Sequence, residues 1–284
     1  MKTRNINSMT EQTPSLQGKI AIVTGASSGI GRATAELLAE HQAHVFLLGR
    51  NEQALTSLYE TITAAGGVAT PACMDINDTG ALEDLVNRVV SEHSRLDIMV
   101  NNAGLEYPGT IIDGQIEHWR EMVETNIVSL LAGCQSAVKA MRQTNTEGHI
   151  VNVSSVSAQR SNSGVYGATK HAVNVISSSL RDELEEDDIR VTTVMPGATS
   201  TNFARTFPEA FVQQIISASG LDIEFTPNQH LPPQVLENLA ERLPKMLCQP
   251  SDVANAVLYA VTQPINVNVA EIVVRPPRAM TLPH

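Results

Sequence analysis

Apolar and polar positions alternate along the chain in blocks rather than residue by residue. Seven short apolar runs, rich in Val, Ile and Leu, lack the clean period-two alternation of half-exposed strands, which is typical of strands covered on both faces. These runs cover residues 19–26, 44–50, 68–75, 96–104, 149–155, 189–197 and 270–276. Helical patterns lie between the first six, over residues 33–40, 51–65, 79–93, 115–143 and 164–186. The alternation predicts an α/β fold with a doubly wound parallel sheet of about seven strands and helices on both faces.

One long segment, residues 199–249, interrupts this rhythm. It contains no obvious strand, and prolines separate its short helical patches. An insertion of this length between two core strands is more often functional than neutral, so we predict a lid. Its large apolar side chains favour an apolar or bulky substrate, although they could also serve only to pack the segment onto the domain. They include Phe203, Phe207, Phe211, Phe225 and Met246.

The length and charge narrow the possible classes of protein. A chain of 284 residues could hold two average domains, but single α/β domains often reach this size. We predict a disordered tail over residues 1–15 and one domain over residues 16–284 that includes the lid. The net charge of −11 argues against nucleic acid and anionic membrane surfaces as partners, because both select basic faces.

The cysteines and the apolar runs bear on metal sites and location. Cys73, Cys134 and Cys248 are far apart and form no CxxC pair, so neither a disulfide framework nor a metal site is indicated. The N-terminal residues lack the apolar stretch of a secretory signal, and no apolar run approaches the length of a membrane span. A cytoplasmic location is therefore expected.

A glycine-rich turn, TGASSGIG over residues 24–31, joins the first apolar run to the first helix. Glycines at this spacing allow a tight turn, a close approach of the backbone to a pyrophosphate, and close packing of helix on strand. The N–H groups at the helix start can then face the anion. Because the turn follows a buried strand and precedes a helix, it predicts dinucleotide binding. The predicted contacts are Gly25, Ser27, Ser28, Gly29, Ile30 and Gly31.

The end of the second apolar run bears on the choice between NAD and NADP. A carboxylate there would bind the ribose 2′-hydroxyl of NAD, whereas a basic residue accommodates the 2′-phosphate of NADP. The chain has Gly49 and then Arg50, and its next carboxylate, Glu52, belongs to the following helix. A guanidinium suits phosphate by forked donation, so NADP(H) is favoured over NAD(H). Alternatively, Arg50 is only a solvated residue at a helix start.

Tyr166 and Lys170 lie four residues apart and therefore share one face of the predicted fifth helix. An ammonium beside a phenol lowers its pKa from about 10, and the phenol can then exchange a proton with a substrate oxygen. Ser154 and Ser155 end the fifth apolar run, where a hydroxyl can stabilise a developing alkoxide. Together these residues are candidates for catalysis.

The motifs together resemble those of the short-chain dehydrogenase/reductase family. The turn at residues 24–31 is similar to its TGxxxGxG turn, residues 101–104 to its NNAG motif, and residues 166–170 to its YxxxK motif. The resemblance covers residues 18 to about 200 and the last apolar run. It implies one Rossmann-fold domain that transfers hydride between a nicotinamide and a carbonyl carbon or secondary alcohol. It also implies a homodimer or homotetramer formed through the long fourth and fifth helices.

The resemblance implies a role for each catalytic candidate. Tyr166 would handle the proton, Lys170 would lower the pKa of Tyr166 and hold the ribose, and Ser155 would stabilise the oxyanion. Asn126 would hold a relay water, or else form only a polar contact between helices. In the family the serine typically lies thirteen residues before the tyrosine, which here is Val153; alignment on the strand selects Ser155 instead. The loop before Tyr166 would then be about two residues short, and Ser154 and Ser157 remain alternatives.

The resemblance also extends the cofactor site beyond the glycine turn. Asp75 would contact the adenine amino group, and Thr201 would bind the nicotinamide carboxamide, with Thr199 as the second candidate. Asn101 is expected to be partly structural. The further predicted cofactor contacts are Asn102, Ala103, Gly104, Pro196, Gly197 and the catalytic pair Tyr166 and Lys170.

An NADP preference favours carbonyl reduction of a small molecule as the function. Oxidation of an alcohol or a 3-hydroxy acid at the same site is the first alternative. A second is 3-oxoacyl carrier-protein reduction, which the acidic surface disfavours. From another class, a non-catalytic NADP-sensing protein is disfavoured because the four catalytic candidates are intact. Glu106, Tyr107 and Arg160 are expected to line the substrate pocket.

Overall fold

A computed structural model describes residues 15–224 and 231–278 of the chain. Seven parallel strands form one sheet in the order β3-β2-β1-β4-β5-β6-β7. The strands are β1 (Ile20–Thr24), β2 (His44–Gly49), β3 (Val68–Cys73), β4 (Ile98–Asn101), β5 (Gly148–Val153), β6 (Ile189–Pro196) and β7 (Glu271–Val274). The strand order reverses between β1 and β4, which is where open α/β sheets bind ligands. The predicted doubly wound sheet is confirmed.

Nine helices accompany the strands within the described residues. They are α1 (Gly29–Glu40), α2 (Glu52–Ala64), α3 (Thr79–His93), α4 (Ile116–Val123), α5 (Ser129–Thr144), α6 (Gly164–Glu183), α7 (Glu209–Ala218), α8 (Pro233–Arg242) and α9 (Pro250–Val261). One buried cluster joins α1, α2 and α9 to one face of the sheet, and a second joins α3, α5 and α6 to the other. Helices therefore cover both faces, as the uninterrupted apolar strands predict.

The predicted helix over residues 115–143 is not continuous. A π-helical turn, Glu124–Val128, separates α4 from α5 and inserts one wider turn at Asn126. Such turns are rare and often occur at functional sites. The apolar period on either side of the turn is helical, so it gives no signal of the interruption.

Helix α9 was not among the predicted elements. Pro250 opens it, and the Asp252 side chain accepts a hydrogen bond from the backbone N–H of Gln249 at 2.8 Å. Proline at the first helical position and a carboxylate three residues after the cap are typical start signals. The sequence therefore carried a signal for this helix, although a weak one beside the prolines that precede it.

The 199–249 segment folds into the 3-10 turn Asn202–Thr206 and helices α7 and α8. Its own apolar cluster includes Val212, Ile216, Val235 and Leu239, all buried. A parallel bridge between Thr199 and Cys248 brings the two ends of the segment together. Phe225, which was predicted to belong to the lid, lies outside the described residues. The predicted tail also lies outside them, except for Ser15.

Candidate active site

A cavity of about 750 Å³ opens along the carboxyl ends of the strands. The predicted cofactor and catalytic residues all line it, apart from Gly31 and Asn126. Those two lie just behind its wall, where Gly31 packs against Gly25 and Asn126 against the loop after β4. The structure therefore brings the predicted site residues together in one place, although they come from the ends of several strands.

The glycine turn after β1 leaves no room for side chains. Gly25 and Gly29 have φ angles of +67° and +56°, a region that L-amino acids with side chains rarely adopt. A Cβ atom built on Gly31 would lie 2.3 Å from the carbonyl oxygen of Gly25. Ser28, which precedes α1, makes no side-chain cap, so the helix start presents its backbone N–H groups to the cavity. This cradle is suited to a pyrophosphate.

The loop after β4 is tied to the end of β1 by short hydrogen bonds. The Thr24 hydroxyl accepts bonds from the backbone N–H groups of Asn102 and Ala103, at 3.0 and 2.9 Å. The Asn102 side chain donates to the carbonyl oxygen of Thr24 at 2.9 Å. Asn101 is buried and donates to the Asn152 side chain at 2.9 Å, so its role here is structural. The NNAG loop is thus fixed beside the cradle.

Arg50 and Asp75 lie together at the β2–β3 end of the cavity. Their side chains are 59% and 47% exposed, and the guanidinium lies 3.8 Å from the carboxylate. An ion pair this exposed contributes little to stability, so Arg50 remains available to a ligand. Gly49 supplies no carboxylate at the end of β2. This end of the cavity can therefore receive an anionic group.

Tyr166 is buried near the start of α6, and its phenol is hydrogen-bonded to the Ser155 side chain. The Ser154 hydroxyl points elsewhere and donates to the backbone carbonyl of Lys170 at 2.9 Å. Ser157 uses its backbone N–H to donate to the Ser155 hydroxyl at 3.1 Å. Among the described residues, Ser155 is the one of the three candidate serines whose side chain is hydrogen-bonded to the phenol.

The connection before Tyr166 is compact. The 3-10 turn Val156–Gln159 follows Ser155 directly, and the Ser163 hydroxyl donates to the carbonyl oxygens of Ser157 and Arg160, both at 2.7 Å. Helix α6 then begins at Gly164, whose φ of +59° suits glycine. These bonds hold the short loop against the start of α6.

Lys170 is buried near Tyr166, and burial is the main influence on the pKa of the phenol. The Lys170 ammonium donates to the Val153 carbonyl at 2.9 Å and lies 5.9 Å from the centre of the Tyr166 ring. Burial raises the pKa of Tyr166, and the Glu106 carboxylate raises it further, while the Ser155 hydrogen bond opposes them. Burial also lowers the pKa of Lys170 to about 8. The phenol is therefore protonated at neutral pH.

Asn126 occupies the π-helical turn, and its amide is fully used. Its nitrogen donates to the Leu105 carbonyl at 2.9 Å and to the Thr169 hydroxyl at 3.0 Å, and its oxygen accepts from the Leu105 N–H at 2.9 Å. The amide oxygen and the Lys170 ammonium both lie 3.2 Å from a Cβ atom built on Gly104. Asn126 thus forms the contact between helices that was the alternative to a relay role, and it lies near the Lys170 ammonium.

Three further residues were expected to line the pocket, and the structure separates them. Glu106 and Arg160 line the cavity, whereas Tyr107 is not among its lining residues. The Tyr107 ring stacks on His118 with centroids 4.0 Å apart, and its hydroxyl donates to Glu121 at 2.7 Å. Burial raises the pKa of Glu106 to about 7, and the Lys170 charge opposes that rise.

The far wall of the cavity is apolar and comes largely from the 199–249 segment. The Phe203 ring lies 5.6 Å from the Tyr166 ring, and the Phe207 and Phe211 rings are 5.4 Å apart. Sequence reasoning named these three rings and expected several Leu and Ile of the segment beside them, but the helical period alone could not show which of these aliphatic residues face a cavity. Those that line it are Ile215, Leu231, Leu236, Leu239 and Leu247, and the missed residues include Arg275, Pro276 and Arg278 after β7.

Within residues 15–224 and 231–278, no three His, Cys, Asp or Glu side chains are grouped as metal ligands. No helix in the same ranges is both long and apolar enough to cross a membrane.

Comparisons with known proteins agree with this arrangement. A family model described as short chain dehydrogenase matches residues 19–210. An uncharacterized oxidoreductase of Staphylococcus aureus strain MW2 is 34% identical over 263 residues, which cover 92% of this chain and 98% of the relative.

Solved structures give the same result. A metagenomic short-chain oxidoreductase in complex with NADP is 27% identical with a TM-score of 0.70, covering 92% of this chain and 98% of its own. A 7α-hydroxysteroid dehydrogenase, complexed with NADH and 7-oxo glycochenodeoxycholic acid, is 25% identical with a TM-score of 0.76, covering 97% and 100%. The chain belongs to the short-chain dehydrogenase/reductase family and is an oxidoreductase of that family.

Proposed function

We propose that this protein is an NADP(H)-dependent oxidoreductase that reduces the carbonyl group of a small molecule to a secondary alcohol. One observation carries the proposal: the Ser155–Tyr166 hydrogen bond and the Lys170 ammonium lie in the same cavity as the glycine cradle. Hydride transfer from a nicotinamide dinucleotide to a carbonyl uses a turn that binds the pyrophosphate and a proton donor at the same site.

The cavity fits a nicotinamide dinucleotide at the cradle. A Cβ atom at Gly25 would lie 2.9 Å from the Asn102 amide, so only bare backbone can be presented there, and the start of α1 offers its N–H groups. Thr201 lies beside Gly29, with its methyl carbon 3.0 Å from a Cβ atom built there. We propose that Thr201, with Pro196, Gly197 and Thr199, binds the nicotinamide end and that Asp75 lies at the adenine end. When bound, the nicotinamide gives or takes the hydride.

The catalytic roles follow from the protonation and the hydrogen bonds of Tyr166, Ser155 and Lys170. The Tyr166 phenol is protonated at neutral pH, so it can serve as the proton donor to the carbonyl oxygen. The Ser155 hydroxyl, already bonded to that phenol, stabilises the negative charge that develops on the same oxygen. We propose that the Lys170 ammonium, whose pKa is lowered by burial to about 8, returns a proton to the tyrosine.

The NADP preference rests on Arg50. The residue lines the cavity, is more than half exposed, and faces no carboxylate on β2, so a 2′-phosphate can form charge-assisted bonds with it. The Asp75 carboxylate, 3.8 Å from the Arg50 guanidinium, opposes the binding of an anion here. Oxidation of an alcohol at the same site remains the alternative function, and a non-catalytic NADP-binding role is disfavoured by the bonded Ser155–Tyr166 pair.

The proposal is tested by turnover of ketones, diketones and 3-oxoesters with NADPH and with NADH. We expect a higher kcat/KM with NADPH, and Arg50→Gln is expected to raise the KM for NADPH by about 10- to 100-fold, the value of a charge-assisted bond, while the KM for NADH changes little. Arg88→Gln, which removes an exposed cation outside the cavity, is the control. Equal kcat/KM for both cofactors contradicts the NADP preference, and no turnover with either contradicts the proposed activity.

Three further parts of the proposal concern architecture. We propose that residues 16–284 act as one domain and that the 199–249 segment works as a lid, which its contribution to the apolar wall supports. A homodimer or homotetramer and a cytoplasmic location stay predictions. Sedimentation at several protein concentrations tests the assembly.

A further inference from the structure

Glu106 is held at the substrate end of the cavity by its backbone neighbours on two sides. The adjoining Leu105 exchanges two hydrogen bonds with the Asn126 amide, both at 2.9 Å. On the other side, the Thr206 hydroxyl of the 199–249 segment donates to the Glu106 backbone carbonyl. The position of residue 106 is thus determined both by the π-helical turn and by the predicted lid.

The Glu106 carboxylate itself has no partner among the described residues. It makes no hydrogen bond or ion pair there, and the nearby Lys170 ammonium is instead bonded to the Val153 carbonyl at 2.9 Å. The carboxylate is partly buried and lines the same cavity as Ser155 and Tyr166. Its charge is also close enough to act on the phenol and on Lys170. Water can solvate this carboxylate in the open cavity, so a ligand that excludes that water must supply a donor in its place.

Of the other charges on the cavity wall, the Lys170 ammonium lies near Tyr166 but is bonded to the Val153 carbonyl, and the rest are less suited to act at the reacting atoms. Arg160, Arg275 and Arg278 are exposed, so solvent screens them. Beyond Glu106 the wall is formed by the rings of Phe203, Phe207 and Phe211 and by aliphatic side chains. A substrate that matches this arrangement combines a cationic donor close to its reacting carbon with an apolar body.

We propose that Glu106 binds a protonated amine on the carbon next to the reacting centre, so that the substrates are lipophilic amino ketones and amino alcohols. The inference rests on the proposed function, because it needs Tyr166 at the reacting oxygen. An amine on the adjacent carbon stays within a few ångströms of that oxygen, where the Glu106 charge acts. In the reduction, hydride from the reduced nicotinamide forms the carbinol C–H bond while the Tyr166 phenol gives its proton to the carbonyl oxygen. Oxidation of the amino alcohol is the reverse of these steps, in which the deprotonated form of Tyr166 takes the hydroxyl proton and the hydride passes to the oxidised nicotinamide. The amine is unchanged.

Three matched alcohols test the inference: 2-amino-1-phenylethanol, 1-phenylethane-1,2-diol and 1-phenylethanol. They share the ring and the carbinol carbon and differ in offering a cation, a neutral donor or neither. For the wild-type protein with NADP+, we expect the kcat/KM of the amine to exceed that of 1-phenylethanol by about tenfold or more, the value of a charge-assisted bond. Glu106→Gln is expected to reduce that ratio by about tenfold, since it keeps a polar side chain but loses the charge.

The control variant is Glu117→Gln, which removes an exposed carboxylate on α4 that does not line the cavity. It is expected to leave the amine-to-alcohol ratio as in the wild type. A ratio that Glu106→Gln does not change, or that both variants reduce equally, overturns the inference. If the kcat/KM of the diol exceeds that of 1-phenylethanol by as much as the kcat/KM of the amine does, the site recognises a neutral donor, and the proposed recognition of charge is wrong.

A binding measurement separates this inference from the proposed function. Calorimetric titration with 2-phenylethylamine, which has no hydroxyl to oxidise, is expected to show weaker binding to Glu106→Gln than to the wild type by about tenfold. Equal binding to both proteins overturns the inference whatever the activity. If 1-phenylethanol is turned over and the amine has no advantage, only the inference is wrong. If none of the three alcohols and none of the carbonyl panel is turned over, the proposed function is wrong.

Discussion

The two ends of the cavity are built in different ways. At the cradle of the cofactor end the wall is backbone: Gly25 and Gly29 line it and Gly31 packs directly behind, so closely that an added Cβ atom would collide. At the substrate end the wall is made of side chains, contributed by Glu106, by Phe207 and by residues of α7 and α8. The cofactor end thus depends on positions that carry no side chain, and the substrate end depends on which side chains line it.

This difference determines how each end can change. A backbone cradle tolerates almost no substitution, because every glycine that forms it is needed for its conformation or its space. A wall of side chains can change one residue at a time while the sheet beneath it stays the same. Substitutions at the two ends should therefore have separable effects, one on the cofactor and the other on the choice of substrate.

The largest expected effect lies where the two ends meet, at Tyr166. Tyr166→Phe removes the proton donor and keeps the ring, so kcat should fall by about 100- to 10,000-fold with little change in the melting temperature. Steady-state kinetics with NADPH and a ketone measure it. Tyr59→Phe on α2, whose ring is 39% exposed and away from the cavity, should change nothing. Full activity in Tyr166→Phe is incompatible with the proposed mechanism.

Substitutions of Ser155 and Ser154 distinguish a hydroxyl that acts in catalysis from one that only stabilises the fold. Ser155→Ala removes a donor to the developing oxyanion and should lower kcat by about 100- to 1,000-fold. Ser154→Ala removes a buried hydrogen bond to the Lys170 carbonyl and should instead lower the free energy of unfolding by about 1 kcal/mol. Kinetics and urea unfolding of both variants test the pair. A larger loss of kcat in Ser154→Ala would reverse the assignment.

Gly31→Ala probes the cofactor end alone. The added Cβ atom would meet the Gly25 carbonyl at 2.3 Å, so the turn must shift, and NADP+ binding should weaken by about 10- to 100-fold, the cost of overpacking. Calorimetric titration with NADP+ measures it. Gly80→Ala, in α3, is the matched control, since its Cβ atom meets nothing closer than 3.5 Å. Unchanged binding to Gly31→Ala would mean that the cradle does not hold the pyrophosphate.

Phe207→Ala probes the substrate end and should have the smallest effect. Removing this ring should change the ratio of kcat/KM for a bulky ketone to that for a small one by about tenfold, a typical value for an apolar contact. The Kd for NADP+ should stay close to that of the wild type. Parallel kinetics and cofactor titration check both. A loss of NADP+ binding as large as in Gly31→Ala would show that the two ends are not separable.

The same contrast explains how much could be predicted from the sequence. The sheet, the cradle and the Tyr166–Lys170 pair follow from local patterns: apolar runs, glycine spacing and the four-residue helical repeat. All of those residues meet at the cavity or directly behind it. Alignment on the strand already selected Ser155, but Ser154 stayed an alternative in the sequence because neighbouring residues at a strand end differ only in the direction of their side chains.

Other features depend on contacts between distant residues and could not be predicted. The π-helical turn at Asn126 interrupts a continuous helical period, and the raised pKa of Tyr166 depends on burial and on Glu106, sixty residues away in the chain. The aliphatic wall of Leu236 and Leu239 shows only a helical pattern in the sequence. What the wall faces is decided by how the 199–249 segment packs onto the sheet.

Transfer of deuterium from labelled cofactor tests the central claim most directly. NADPH that carries deuterium at C4 of the nicotinamide, on the transferred face, is incubated with the wild-type protein and a ketone from the panel, and the alcohol is analysed by mass spectrometry. The account predicts one deuterium on the carbinol carbon of each product molecule, formed by the wild type and almost absent with Tyr166→Phe. An unlabelled alcohol, or labelled alcohol formed equally well by Tyr166→Phe, would contradict it.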